Sequence, residues 1–278
     1  MTSSTTAAVR PGRRMTPALP TGPRPAPPGP LAASAAFGWR ALLKIRHIPE
    51  QLGDVIAIPI VFTLMFTYLV GGAMAGSPGR YLSFILPGTL VMAVLLVSLY
   101  AGISLNTDIT RGMGDRFRAL PVSRIAPVAG ALIGDVARYL LTGALVVAVG
   151  LVMGYRPAGG AVGVLAGIGL VLVFALSLSW AWAAFGLVAR APQVVMTTGT
   201  VVLFPLTLAS NVFVAPLTMP GWLQAIVRVN PVSHLVTAER GLLAGTGTVG
   251  QVAWVLIAAA VLTAVFAPVT AWLYGRQR

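Results

Sequence analysis

Residues 161–189, AVGVLAGIGLVLVFALSLSWAWAAFGLVA, decide the fold class, because no charged side chain lies between Arg156 and Arg190. A helix of about 20 apolar residues is long enough to cross a bilayer. The rest of the chain is similar: 57% of all residues are hydrophobic, 9% are charged, and the mean hydropathy is +0.87. Soluble domains contain about 25% charged residues. The composition therefore predicts an all-α integral membrane protein.

Six stretches are apolar enough to form transmembrane helices. They lie near residues 55–74, 81–105, 125–153, 161–189, 191–216 and 250–275. Six crossings place both termini on one side of the membrane. Of the 19 basic residues, fourteen fall on that side, four on the other, and Arg138 lies inside a span. Because basic residues collect in cytoplasmic loops, both termini are expected to be cytoplasmic.

The chain contains no cysteine, which excludes disulfide scaffolds, thiol nucleophiles and cysteine-bound metals. Its net charge of +13 comes from basic residues that flank the apolar stretches. Because these residues form no patch on a soluble domain, the charge indicates orientation in a membrane and not binding to nucleic acid. We predict neither a catalytic residue nor a metal site.

The sequence divides into two parts. Residues 1–35 are rich in proline and predict a disordered cytoplasmic tail, whereas 36–278 form the membrane domain. The domain begins with an amphipathic helix over residues 37–51, with Arg40 and Lys44 on its polar side. Its apolar side holds Ala41, Leu42, Ile45 and Ile48. Such a helix is expected on the cytoplasmic membrane surface, as a lipid anchor, as a contact for a partner protein, or as both.

The loop between the second and third spans, residues 106–124, is the most polar part of the membrane domain. Its centre, GDRFRALP at 114–121, predicts one or two helical turns with Phe117 and Leu120 on one side. A short amphipathic helix with arginines along its edge is suited to a groove on another protein. The alternative is a solvated loop whose arginines only fix the topology, which leaves Phe117 unexplained.

Between the fifth and sixth spans, residues 217–250 are too polar to cross the membrane and too apolar for an ordinary loop. The sequence predicts one short helix from the Met219-Pro220-Gly221-Trp222 segment. It predicts a second helix with Asn230 as N-cap and Pro231 at the first position. We expect a re-entrant or interfacial hairpin on the outer face, and a plain surface helix is the alternative. The polar residues expected near water are Arg228, His234, Glu239 and Arg240.

Asp135 and Arg138 lie three residues apart in the third span. Charges inside a membrane are costly and are usually paired, so this spacing favours an ion pair within the helix. A proton relay is the alternative.

Together these segments resemble the ABC-2 family of exporter permeases, and within it the daunorubicin/doxorubicin-resistance permeases of antibiotic-producing actinobacteria. The segments that carry the resemblance are FGWRALLK at 37–44, HIPEQ at 47–51, DRFRALP at 115–121, MPGWLQ at 219–224 and NPVSH at 230–234. They occur in the family's order around the six apolar stretches, from residue 37 to the end of the chain.

The resemblance implies a transporter in a bacterial plasma membrane, in which two permeases, here expected to be a homodimer, pair with two cytoplasmic ATPases. It implies that residues 37–51 and 108–121 contact the ATPase and that the second and fifth spans line the path of an apolar small-molecule substrate. The residues expected at the ATPase contact are Arg40, Lys44, Glu50, Asp115, Arg116, Phe117, Arg118 and Leu120. The residues expected along the substrate path are Met92, Leu96, Tyr100, Phe204, Leu208 and Asn211.

The chain is expected not to be an enzyme, because a phosphate-binding P-loop needs a Gly-Lys-Ser/Thr sequence and Lys44, the one lysine, follows Leu43. Together with the resemblance to a transporter, this implies that ATP and Mg are bound by a partner subunit. The resemblance to drug-resistance permeases implies export of a large, planar, apolar antibiotic. The alternatives are a lipid or polymer exporter, a secondary transporter driven by protons, and a membrane adaptor or immunity protein.

Overall fold

The computed structural model describes residues 57, 60–111 and 126–276, and for 126–133 it describes the backbone alone. The long regular elements in these ranges are all α-helices. In chain order, α1 to α8 are Ile60–Ala75, Pro78–Thr110, Ala126–Val152, Gly160–Val188, Pro192–Leu208, Gly221–Val229, Pro231–Ala244 and Val249–Arg276. The predicted tail 1–35, the predicted amphipathic helix 37–51 and the centre of the second loop, 112–125, lie outside the described residues.

Six of the helices occur where the sequence has its long apolar stretches. Four of them, α2, α3, α4 and α8, are long and apolar enough to cross a bilayer, and α1 and α5 are shorter apolar helices. A π-helical segment at Phe66–Val70 interrupts α1. The prediction of an all-α membrane protein is therefore confirmed for the described ranges.

Helix α2 lies at the centre of the bundle. Every residue from Ile85 to Leu95 is buried, a run of about three helical turns, so this part of the helix is covered on all sides. The helix begins at Pro78, after Ser77 as N-cap, and packs against α3, α4, α5 and α7. In α8, by contrast, only 11% of the most apolar stretch is buried, against 83% in α2.

Two glycines allow α2 and α4 to cross in close contact. A Cβ on Gly102 of α2 would overlap the carbonyl oxygen of Trp182, and a Cβ on Gly186 of α4 would overlap the carbonyl oxygen of Gly102. The indole Nε1 of Trp182 donates to Ser98 Oγ at 3.1 Å beside this crossing. Small residues at helix contacts let backbones approach closely, which is a common means of packing membrane helices.

A row of glycines on α4 and just before it receives α7. Gly159, Gly163 and Gly167 are spaced four residues apart and lie on one face. A Cβ on Gly159 or Gly163 would overlap the carbonyl oxygen of Leu242 in α7, and the Gly159 N–H donates to Leu243 O at 2.9 Å. The backbone of α7 is therefore in direct contact with this glycine face.

Helix α5 ends at Leu208, before the predicted end near residue 216. The segment that follows is held by Asn230, whose Nδ2 donates to Leu206 O at 2.7 Å and to Ala209 O at 2.8 Å. The Oδ1 of the same side chain accepts from Val232 N at 2.9 Å, which confirms its predicted role as N-cap of α7. One amide thus closes the end of α5 and the start of α7, which explains why α5 stops early.

Candidate functional site

The expected ATPase-contact residues belong to segments that the structure does not describe. Arg40, Lys44 and Glu50 precede residue 57. The remaining five fall between Thr110, where α2 ends, and Ala126, where α3 begins: Asp115, Arg116, Phe117, Arg118 and Leu120. Their role stays a prediction.

The residues expected along the substrate path occupy two different environments. Met92 is only 1% exposed and lies in the core, and Leu96 and Tyr100 are half-buried against that core. Phe204 and Leu208 are 38% and 48% exposed on α5. The structure therefore does not bring these residues onto one surface of the single chain.

Asn211 lies beyond the end of α5, so it does not continue the helical face of Phe204 and Leu208. It is buried, and its Nδ2 donates to Thr237 Oγ1 of α7 at 2.8 Å. In this position the amide joins the end of α5 to α7.

Helix α5 has one buried row and one exposed apolar side. The buried row, at intervals of four residues, is Val195, Gly199, Leu203 and Thr207. A Cβ on Gly199 would overlap Leu99 of α2, so this row packs against the centre of the bundle. Val201, Phe204 and Leu208 point away from it and are exposed. An exposed apolar face of this kind must be covered by lipid or by another protein.

The charged pair in α3 is an ion pair within the helix, as its spacing predicted. Arg138 Nη1 lies 2.7 Å from Asp135 Oδ1, and Asp135 is buried. The guanidinium of Arg138 also lies 5.4 Å from the ring centroid of Tyr100, at cation–π distance. The next residue, Tyr139, shares a hydrogen bond of 2.6 Å with Ser179 of α4. The pair therefore joins α3 to Tyr100, one of the residues expected along the path.

Arg240 of α7 was expected near water, and it is half-buried, with its charged group bound to protein groups. Its guanidinium donates to Phe84 O at 3.0 Å and to Asn211 O at 3.1 Å, and it stacks over the Phe84 ring at 3.9 Å. Burial lowers the pKa of Arg240 to about 10, so the side chain remains a cation at neutral pH. Two carbonyl groups and an aromatic face replace water around this charge, and they fix α7 to α2.

Glu239 contradicts the expectation of a side chain near water. It is 0% exposed, and neither carboxyl oxygen has a hydrogen-bond partner among the described protein groups. Burial raises the pKa of Glu239 to about 8. Of the other two polar residues expected near water, Arg228 is exposed, and the partly exposed His234 has its Nε2 2.8 Å from Arg228 O and stacks on Trp254.

Two asparagines have roles that sequence reasoning missed. Asn106 of α2 donates through Nδ2 to Gly186 O at 2.8 Å and to Ala189 O at 2.7 Å, so it caps the carboxyl end of α4. Asn230 does the same for α5. The four last carbonyl groups of a helix have no partner within that helix, and an amide in an apolar environment can supply one.

Among the described residues, no group of three or more His, Cys, Asp or Glu side chains lies together as a metal site would require. The polar contacts described above join helices to one another. Their role in the described part of the chain is to fix the positions of the helices relative to one another.

Comparison with known proteins identifies the family of this chain. Residues 34–244 match the family model of the ABC-2 type transporter. The daunorubicin resistance ABC transporter permease protein DrrB1 of Streptomyces coeruleorubidus is 48% identical over 93% of this chain and 92% of the relative. The doxorubicin resistance permease DrrB of Mycobacterium tuberculosis is 27% identical over 80% of this chain and 74% of its own length. The inner membrane transport permease YadH of Escherichia coli K12 is 28% identical over 66% of this chain and 73% of its own length. The chain therefore belongs to the ABC-2 type transporter family.

Proposed function

We propose that this chain is the membrane-spanning permease subunit of an ATP-driven exporter that removes large, planar, apolar antibiotics of the anthracycline type. The observation that carries the proposal is the 48% identity to a daunorubicin resistance permease over 93% of the chain. An exporter of apolar drugs needs an apolar bundle and a partner that supplies energy. The exposed apolar side of α5 and the absence of a P-loop support both requirements.

We propose a six-span arrangement in the bacterial plasma membrane, in which α1 and α5 cross together with the four longer helices. Helix α5, over residues 192–208, is about 26 Å long at 1.5 Å per residue, close to the hydrocarbon thickness of about 30 Å. Both termini are then cytoplasmic, as the distribution of basic residues favours. In this arrangement α6 and α7 form a re-entrant hairpin on the outer face.

The ATPase partner binds, in this proposal, to the helix at 37–51 and to the segment at 108–121, which starts in the last turn of α2. ATP and Mg are bound by that partner. Phe117 and Leu120 insert into a groove on the ATPase, and Arg116 and Arg118 pair with acidic residues at its edge. Removal of a buried aromatic at an interface often costs about 2 kcal/mol or more, roughly a thirtyfold loss of association.

The second permease is, in this proposal, another copy of the same chain, and it covers the exposed side of α5. Phe204 and Leu208 then line the drug path between the two copies. Leu96 and Tyr100, which are half-buried, contribute from α2 once the copies are paired. Met92 and Asn211 support the path from behind, because both are buried in the single chain. Lipid covers the remaining apolar faces.

Reconstitution tests this function directly. The permease is purified with its ATPase and placed in vesicles, and ATP hydrolysis and daunorubicin movement are measured together. We expect the drug to stimulate hydrolysis and to move only when ATP is present. Phe117→Ala should reduce association and transport while the permease stays folded. Transport driven by a proton gradient without ATP would contradict the proposal in favour of a secondary transporter, and stimulation by lipid alone would favour a lipid exporter.

A further inference from the structure

The Glu239 side chain lies where α7 rests on α4. A Cβ added to Gly167 of α4 would overlap Glu239 Oε1 and would lie 2.8 Å from Leu243 Cδ1. The carboxyl group therefore occupies the space that the absent side chain of Gly167 leaves open. Any residue larger than glycine at position 167 would displace it.

Burial without a hydrogen bond sets the charge of this group. Transfer of an ionised carboxylate out of water is so unfavourable that a group without a partner takes up a proton instead. Both oxygens of Glu239 lack a hydrogen-bond partner within the described ranges. The neutral acid is therefore the form that fits this position. Burial causes the raised pKa of Glu239, so the pKa is raised only while α7 is packed against α4 and returns to its ordinary value when the side chain reaches water.

Among the residues that the structure describes, the charged groups around Glu239 do not offer a counter-ion. Arg240, its neighbour in α7, directs its guanidinium to Phe84 O and Asn211 O. Helices α4 and α5 contain no titratable residue, and in α6 Arg228 is exposed. In α8 the titratable residues Tyr274 and Arg276 lie at the far end from the part that contacts α7.

The other titratable residues on the elements that pack against α7 are Tyr155 and four residues of α2. Tyr155, in the connection before α4, has its pKa raised by burial and by the nearby Glu239 charge. Tyr81 of α2 donates its hydroxyl to Phe213 O at 2.9 Å, and Arg80 is exposed. Tyr100 and Asp108 lie at least four helical turns along α2 from Phe84, the residue that α7 contacts. None of these groups supplies a positive charge to the carboxyl.

We propose that Glu239 is a proton-binding site, neutral while α7 rests on the glycine face of α4 and ionised when α7 moves away from it. In that movement the carboxyl O–H bond breaks, its electron pair stays on the carboxylate, and the proton passes to water. Proton uptake and the packing of α7 are thereby coupled. Proton binding at Glu239 needs neither the drug nor the ATPase. A test that contradicts this proposal therefore leaves the proposed transport function unaffected, and the reverse also holds.

The direction of the pH dependence follows from the two pKa values, about 8 in the packed position and 4.5 as the ordinary value. The packed position is fully favoured below about pH 4.5, where both forms are protonated. As the pH rises toward 8, the ratio of packed to displaced α7 falls by up to about tenfold per pH unit. Above about pH 8 both forms are ionised, and the ratio no longer changes.

A thiol reporter on α7 can follow this change, because the native chain has no cysteine. Ala238→Cys replaces a small, fully buried residue next to Glu239, so its labelling by a soluble thiol reagent requires displacement of α7. The full-length permease is labelled in detergent from about pH 5 to about pH 9. Each rate is divided by that of Ala238→Cys combined with Glu239→Gln at the same pH. The division removes the titration of the thiol itself, since glutamine stays neutral.

The proposal predicts that this ratio increases with pH and becomes constant above about pH 8. A ratio that does not change with pH would overturn it. Gly167→Ala provides a second test that does not need the glutamine variant, because it pushes the carboxyl toward water. It should move the midpoint of the labelling profile to lower pH. Gly169→Ala, on the same helix with open space around its Cβ, should leave the midpoint unchanged. Equal midpoints for the two alanine variants would likewise overturn the proposal.

Discussion

Helices α2 and α5 were both expected along the drug path, and they differ in how completely the single chain covers them. Around Ile85 to Leu95, α2 is enclosed by its neighbours, so its packing is complete within one chain. Helix α5 packs one row of residues and leaves Val201, Phe204 and Leu208 exposed. Substitutions in α2 should therefore act on folding, whereas substitutions on the exposed side of α5 should act on what the assembled transporter binds.

The largest effect is expected at the crossing of α2 and α4. Gly102→Leu would force a side chain against the backbone of Trp182 and against Val195 Cγ1. Added volume at a close helix contact costs about 3 kcal/mol or more when the neighbouring backbone cannot move away. We expect little folded protein in the membrane and a lower denaturation temperature in detergent. Gly79→Leu is the control, since it lies in the exposed first turn of α2 with open space around its Cβ. Similar stability of the two variants would show that the crossing is not closely packed.

The next largest effect is expected at the cap that α2 supplies to α4. Asn106→Ala removes two hydrogen bonds and leaves Gly186 O and Ala189 O without this donor. Unsatisfied buried groups cost about 1–3 kcal/mol. Thermal denaturation should show this loss, and Thr107→Ala should show almost none, because Thr107 Oγ1 donates only to Ile103 O of its own helix. An equal loss in both variants would mean that Asn106 does not act as a cap.

The smallest effect on stability, and the one that separates the two helices best, is expected on α5. Phe204→Ala should change the unfolding free energy by less than about 0.5 kcal/mol, as for other exposed positions. It should alter the rank order of exported drugs at normal abundance. Leu203→Ala, one residue away and 1% exposed, should instead cost about 2–5 kcal/mol and lower the abundance. Loss of abundance in Phe204→Ala would assign that residue to packing.

The positions of the helices could be predicted because long uncharged stretches leave few alternatives in a membrane protein. The Asp135–Arg138 pair and the Asn230 N-cap were also predictable, since both depend on residues three or fewer positions apart. The burial of Glu239 and the partial burial of Arg240 could not be predicted, because they depend on which side of the short helix α7 meets α4 and α2. The early end of α5 depends on Asn230, which lies more than twenty residues further along the chain. Contacts of this range leave no local pattern.

Tertiary packing also decides which of the residues expected along the substrate path are buried and which are exposed. Met92, Leu96 and Tyr100 recur every four residues, and this spacing shows that they share one face of α2. It does not show whether that face meets another helix or an open path. The structure places Met92 in the core and Phe204 at the surface, a difference that only the tertiary packing determines.

The most direct test of the proposed path compares thiol labelling at two neighbouring positions of α5. Phe204→Cys and Leu203→Cys are made separately in the chain, which has no native cysteine, and the permease is labelled in complex with its ATPase. We expect labelling at position 204, slowed when daunorubicin is present, and almost none at position 203. Equal labelling at both positions, or labelling at 204 that the drug does not change, would contradict a drug path along the exposed side of α5.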